Sequence, residues 1–298
     1  MRALIAIGLT AAVLLAGCGP PASGERQTEI ISAREALRLV EAGALLVDAQ
    51  DSLRYGRAHA AGAVNISRSD IVVNYPFPGL VAPASHIEEI MGSRGIGPET
   101  LVVVYDTNQN MDAARLWWTL KYYGHDAVKV VSGGLDALEA AGAEISTDPV
   151  EPKPAVFRAS TPRAEMVLNL AEVLAQVENP DPRTVLVDVR STGEFAEGTI
   201  PGSILMDFAG NNFADDTFRP IQHIRIRHLE KGIDYDDRVI LFCQTSIRAA
   251  HTYLVLYNSG YRDLALYDGA WVEWSSDPAR PVQTPAEAVI RVPAADKS

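Results

Sequence analysis

Cys243 closes the apolar run Val239-Ile240-Leu241-Phe242 and opens a polar loop, Gln244-Thr245-Ser246-Ile247-Arg248. A helical pattern follows, with Ala250, Tyr253, Leu254 and Tyr257 on one face, the spacing of a core-packed helix. A thiol between a strand end and a helix start meets several backbone N–H groups that no helical carbonyl satisfies, and the positive end of the helix dipole. Those features favour thiolate. Arg248, five residues on, can fold back and add positive charge. The amides of 244–248 can also cradle an anion or a second, negatively charged sulfur. The bland alternative is a small hydrophobe, because free cysteine is among the most buried residue types.

The elements that must position this loop recur. Leu45-Leu46-Val47-Asp48 matches Val185-Leu186-Val187-Asp188, 140 residues on, and Leu101 to Asp106 matches Arg238 to Cys243, 137 residues on. Gly124 and Gly260 follow the paired helices as C′ glycines. Ser32 with Glu35, and Asn169 with Glu172, read as capping boxes. Buried apolar runs alternating with helices predict an α/β fold with a mainly parallel sheet in each half, where function collects beyond the carboxyl ends of strands. The boundaries expected are a first domain over 29–146, a linker over 147–162 with Pro149, Pro152, Pro154 and Pro162, a second domain over 163–288 and a tail over 289–298. The linker has few apolar anchors.

The chain has 298 residues, 26 Lys+Arg against 38 Asp+Glu, and a formal charge of −12. That balance excludes nucleic acid as a main partner, since phosphate binding needs clustered cations. An anionic substrate must then be held by local positive features. Two cysteines exclude a disulfide framework and a multi-cysteine metal site. Residues 1–17 carry one arginine, an apolar run from Ala3 to Leu15 and small residues, a secretory signal too short for a membrane span. Leu15-Ala16-Gly17-Cys18 resembles the bacterial lipobox, which implies cleavage before Cys18 and lipidation of its thiol. Residues 18–28 read as a tether. The expectation is a lipid-anchored protein of the bacterial cell envelope, with its domains outside the cytoplasm and attached to the membrane through the anchor. The alternative is a plain secreted protein with Cys18 incidental.

Cys-x4-Arg after a strand, Tyr267-Asp268-Gly269-Ala270-Trp271-Val272-Glu273-Trp274, Val187-Asp188-Val189-Arg190, Ile200-Pro201-Gly202-Ser203 and His59-Ala60-Ala61-Gly62-Ala63-Val64-Asn65 occur together. In that order the chain resembles the tandem rhodanese (thiosulfate/3-mercaptopyruvate sulfurtransferase) family over roughly residues 30–285. The resemblance implies two rhodanese-like domains, each a parallel five-stranded sheet flanked by helices, with catalysis in the second. Asp106 occupies the nucleophile position of the first, and a carboxylate cannot accept sulfane sulfur. The implied reaction is double displacement. Cys243 thiolate takes the outer sulfur of thiosulfate or a related donor, and a persulfide held by the N–H groups of Gln244, Thr245, Ser246, Ile247 and Arg248 passes it to cyanide or a thiol. Ping-pong kinetics follow. The partners implied are a small anionic sulfur donor and a thiol or cyanide acceptor, and no metal or organic cofactor is required.

The loop departs from the family's patterns. Ser246 stands where glycine is frequent, and either tightens the turn or offers a hydroxyl to the site. Arg248 is the loop's one basic residue; its charge for a dianion favours thiosulfate over 3-mercaptopyruvate as donor. Arg190 matches a substrate-contacting arginine, or else forms an ion pair. Glu194 stands where some relatives carry a second arginine. His251 is read as packing the helix rather than acting as a base, Trp271 and Trp274 as packing core and cleft, and Arg115 as facing the inter-domain cleft or forming a surface salt bridge. Two competing functions remain: a cysteine-dependent phosphatase or arsenate-type enzyme, whose wider cradle needs Cys-x5-Arg, and a membrane sulfur carrier that does not turn over.

Overall fold

The computed structural model describes residues 28–284. The expected signal peptide, Cys18, most of the expected tether and the C-terminal tail lie outside the described residues. Among the described residues no helix is long and apolar enough to cross a membrane.

The first half builds β1 (Ile30–Ile31), α1 (Ala33–Glu41), β2 (Leu45–Asp48), β3 (Val64–Asn65), α2 (Ala84–Ser93), β4 (Val102–Tyr105), α3 (Met111–Tyr122), β5 (Val128–Val131) and α4 (Gly134–Ala140). The second builds β6 (Val167–Leu168), α5 (Leu170–Glu178), β7 (Thr184–Asp188), α6 (Thr192–Glu197), β8 (Ile204–Leu205), α7 (Ile221–Leu229), β9 (Arg238–Phe242), α8 (Ile247–Asn258), β10 (Leu264–Tyr267) and α9 (Ala270–Trp274). Each half carries one five-stranded sheet, ordered β1-β5-β4-β2-β3 and β6-β10-β9-β7-β8. All pairings within both are parallel. The shared order places β4 and β9 at the centre, each buried on both faces, which is why their sequences are continuous apolar runs.

The local signals act as read, with two differences. Asn169 and Glu172 close a full capping box at α5. Ser32 accepts from the Glu35 N–H at 3.2 Å, but the Glu35 carboxylate pairs with Arg38. Gly124 and Gly260 follow α3 and α8 at φ +86° and +105°, as C′ residues that leave the helix in the left-handed region. The linker is better anchored than its composition suggests. Phe157 is 3% exposed, the Ala155 N–H donates to the Gly92 carbonyl, and the Ala159 N–H donates to Glu88.

Helices α3 and α8 pack on each other across the halves. Trp117 lies against Tyr253 and Tyr257, with ring centroids 6.2 and 5.6 Å apart. One buried cluster therefore runs through both sheets, and a smaller one covers the outer face of each.

Candidate active site

Cys243 lies just past the carboxyl end of β9, the central strand of the second sheet. The Asp188↔Phe242 register brings the end of β7 alongside, and the Val189 N–H donates to the Phe242 carbonyl at 3.0 Å. Ser246 caps α8 with φ +64°, a left-handed residue that lets the loop turn straight into the helix. Its hydroxyl does not serve the site: it reaches the Tyr267 and Asp268 carbonyls at 3.0 and 2.9 Å, and the residue is fully buried. Ser246 therefore tightens the turn, leaving only its N–H to the loop. Ile247 is buried, while Gln244 and Thr245 are half-buried.

Cys243 is a free cysteine, 1% exposed and part of the core that joins the halves. Burial alone fits the packed-thiol alternative. The loop that follows it carries one basic residue, Arg248, whose pKa is raised chiefly by its hydrogen bonds to Glu194 and to a lesser degree by the neighbouring thiol. Arg248 is not a free cation, however. Its Nη1–H and Nη2–H donate to the two oxygens of Glu194 at 2.7 Å each, and its guanidinium lies 5.9 Å from the Phe208 ring. This pairing holds the Glu194 carboxyl down at about 2.

Arg190 takes the second of its two readings, buried rather than at the surface. Its Nε–H and Nη2–H donate to the Asp188 carboxylate at 2.6–3.0 Å, and Nη2 also reaches the Gly198 carbonyl. The guanidinium stacks on Trp271 at 4.3 Å and the residue is 2% exposed. With Nε and Nη2 committed to these acceptors, the contacts of Arg190 are those of an ion pair. His251 is fully buried between Phe208 and Phe218, and burial lowers its pKa to about 3, which suits packing and not proton transfer. Trp274 is fully buried in the outer core of the second half. Arg115 is not at the surface: it is fully buried and donates to Asp268 at 2.8 Å and to the Gly79 carbonyl at 3.0 Å.

The first domain shows what such a loop holds. The Asp106 carboxylate accepts from the N–H groups of Asn108, Asn110 and Ala113 at 2.8–2.9 Å. Burial pushes its carboxyl up to about 6, against those donors. The amide cradle is thus filled by the protein's own anion. The loop is also one residue longer, since α3 is capped at Asn110 (φ +62°) four residues after Asp106, whereas α8 is capped three after Cys243. Counted from the caps, Asp112 stands where Arg248 stands, so both chemical positions of the loop carry aspartate in the first domain.

Each loop is covered by a segment of the opposite half, which sequence reasoning missed. The first half's hairpin Val72–Val73 with Leu80–Val81 brings Gly79 against Thr245. At φ +89°, and because a Cβ would lie 2.6 Å from the Thr245 carbonyl oxygen, this position demands glycine. Asp268 ties the two together, accepting from the Val81 N–H at 2.8 Å and from Arg115. Reciprocally, Asn110 donates to the Asp216 carbonyl, and Asn212 to the Gln109 carbonyl. No local pattern marks Gly79; Asp112 becomes visible only once the repeats are aligned on their helix caps.

The family model of the rhodanese-like domain matches residues 32–141 and 169–277. A putative thiosulfate sulfurtransferase of Mycobacterium bovis is 30% identical over 252 residues, 78% of this chain and 89% of its own. The thiosulfate sulfurtransferase of Cricetulus griseus is 31% identical over 214 residues, 67% of this chain and 71% of its own. Among solved structures, the anaerobic ergothioneine biosynthesis enzyme of Chlorobium limicola superposes with a TM-score of 0.77 at 22% identity, covering 86% of this chain and 70% of that one, a likeness of fold. The sheet order found twice, the nucleophile-position residue beyond each central strand and these matches agree: the chain belongs to the rhodanese family and is a tandem-domain sulfurtransferase.

Proposed function

We propose that the protein moves sulfane sulfur from thiosulfate or 3-mercaptopyruvate to a thiol or cyanide through a persulfide on Cys243. The observation that carries this reading is the place of Cys243 beyond the central strand, at the head of a loop whose counterpart wraps three amides around a carboxylate. With thiosulfate, the thiolate attacks the outer sulfur, sulfite leaves with the bonding pair, and the new S–S bond places a second anionic sulfur within reach of the amides of 244–248. The acceptor then attacks that sulfur and regenerates the thiolate. The Cys-x4-Arg spacing leaves a narrower cradle than phosphate chemistry uses, which ranks a phosphatase below this reading. We further propose that lipidation at Cys18 holds the two domains at a bacterial envelope membrane.

One mass measurement on protein extracted from the envelope tests both statements. After thiosulfate treatment, the peptide carrying Cys243 should gain one sulfur atom and Cys243→Ser should gain none. The N-terminal peptide should start at a diacylglyceryl-modified Cys18. Sulfur gain with steady thiocyanate formation marks an enzyme; gain without turnover marks a carrier. No gain at Cys243, with turnover of a phosphoester, would replace the sulfur reading, and an unmodified N-terminus would remove the anchor.

A further inference from the structure

Glu194 changes the charge that a donor meets. It is the third residue of α6, where a capping box fixes it: the Ser191 N–H and Oγ–H donate to Oε2 at 3.0 and 2.8 Å. Anchored there, the carboxylate takes both Nη groups of Arg248 at 2.7 Å in a fork-to-fork pair. Arg248 is the one basic residue of the loop that Cys243 opens. The pair as a whole therefore offers a donor no net charge. With its carboxyl held down at about 2, the pair persists across the neutral range.

Resting on the sulfurtransferase reading above, we propose that Glu194 is a specificity-determining positioning residue: by pairing with Arg248 it disfavours dianionic sulfur donors and favours donors carrying one negative charge, such as a 3-mercapto-2-oxo acid. Electrostatic attraction scales with the product of the charges, so cancelling the cation costs a dianion twice what it costs a monoanion. The backbone amides that remain act on the transferred sulfur, which is common to both donor types. Both reactions balance without an added oxidant. With thiosulfate, the S–S bond breaks and sulfite carries away the electron pair. With 3-mercaptopyruvate, the C–S bond breaks, its pair goes to carbon, and the donor's thiol proton ends on that carbon as pyruvate forms. Either route leaves the same Cys243 persulfide.

Glu194→Gln removes the charge and keeps the capping box, because glutamine serves equally at that position. The quantity measured is the ratio of kcat/KM for thiosulfate to that for 3-mercaptopyruvate, on the full chain at low ionic strength. The ratio should rise by about tenfold, the scale of one unit charge removed near a partly solvated site. The rise should come through a lower thiosulfate KM and vanish when Arg248→Met is added. A merely structural role would lower both donors together and leave the ratio in place. A ratio unchanged or lowered in Glu194→Gln overturns the proposal. Failure of both donors to place sulfur on wild-type Cys243 would overturn the sulfurtransferase reading instead.

Discussion

At the scale of single residues, the second domain keeps four charged side chains beside its loop and joins them in two pairs. Arg248, in the reactive loop, forks onto Glu194, whereas Arg190 turns to Asp188. The Asp188–Arg190 pair is buried on both sides, at 0% and 2% exposure. Such a pair adds little net stability over apolar residues, but removing one partner strands the other charge. Arg190→Met should therefore lower unfolding free energy by about 3 kcal/mol, softened by the Thr199 hydroxyl and the Arg190 N–H that also serve Asp188. Urea denaturation checks this; a loss under about 1 kcal/mol would mean that Asp188 is satisfied without its partner.

At the scale of elements, α8 does two jobs. Its N-terminus follows the reactive loop, and its body forms the contact with α3. His251 sits on this helix with neither ring nitrogen partnered, wedged between Phe208 and Phe218. Burial lowers its pKa from 6.5 to about 3. Below pH 6.5 the unfolded chain therefore binds a proton that the folded chain refuses. Its contribution to stability is full above pH 6.5 and is lost progressively as pH falls towards 3, by up to about 1.4 kcal/mol per pH unit. His228, lowered by burial to about 4, adds a second such loss over a narrower window. His251→Leu should leave the protein folded and make stability less steep between pH 6 and 4, with His228 keeping part of the slope. Unfolding free energies of mutant and wild type falling in parallel with pH would contradict the buried neutral histidine.

At the scale of the whole molecule, the first domain has lost the chemistry of its loop and kept its place in the site. It supplies Gly79 to the back of Thr245 and Arg115 to Asp268, whose carbonyl also receives Ser246. The core is continuous through Trp117 and Tyr253, so neither half can unfold without exposing the other's apolar surface. Calorimetry should show one cooperative transition in place of two, with Arg115→Met moving that single transition to lower Tm. Two resolved endotherms in the wild type would show the halves to be independent.

The amino-acid sequence by itself determined the repeat, the parallel sheets, the position of Cys243 beyond a central strand and the helix behind it. Those features are encoded within short windows, where apolar runs, caps and C′ glycines act on their neighbours. It could not decide among partners for charged side chains. Arg190 and Arg248 are both compatible with an anionic donor when read along the chain. Folding sets one beside Asp188 under Trp271 and the other against Glu194. Nor could it show that Gly79, 166 positions before Thr245, packs against the reactive loop, because that contact depends on how two similar halves face each other. Such pairings are made by the tertiary structure alone: burial removes water as the competing partner, and the geometry of packed elements leaves each charge one neighbour to choose.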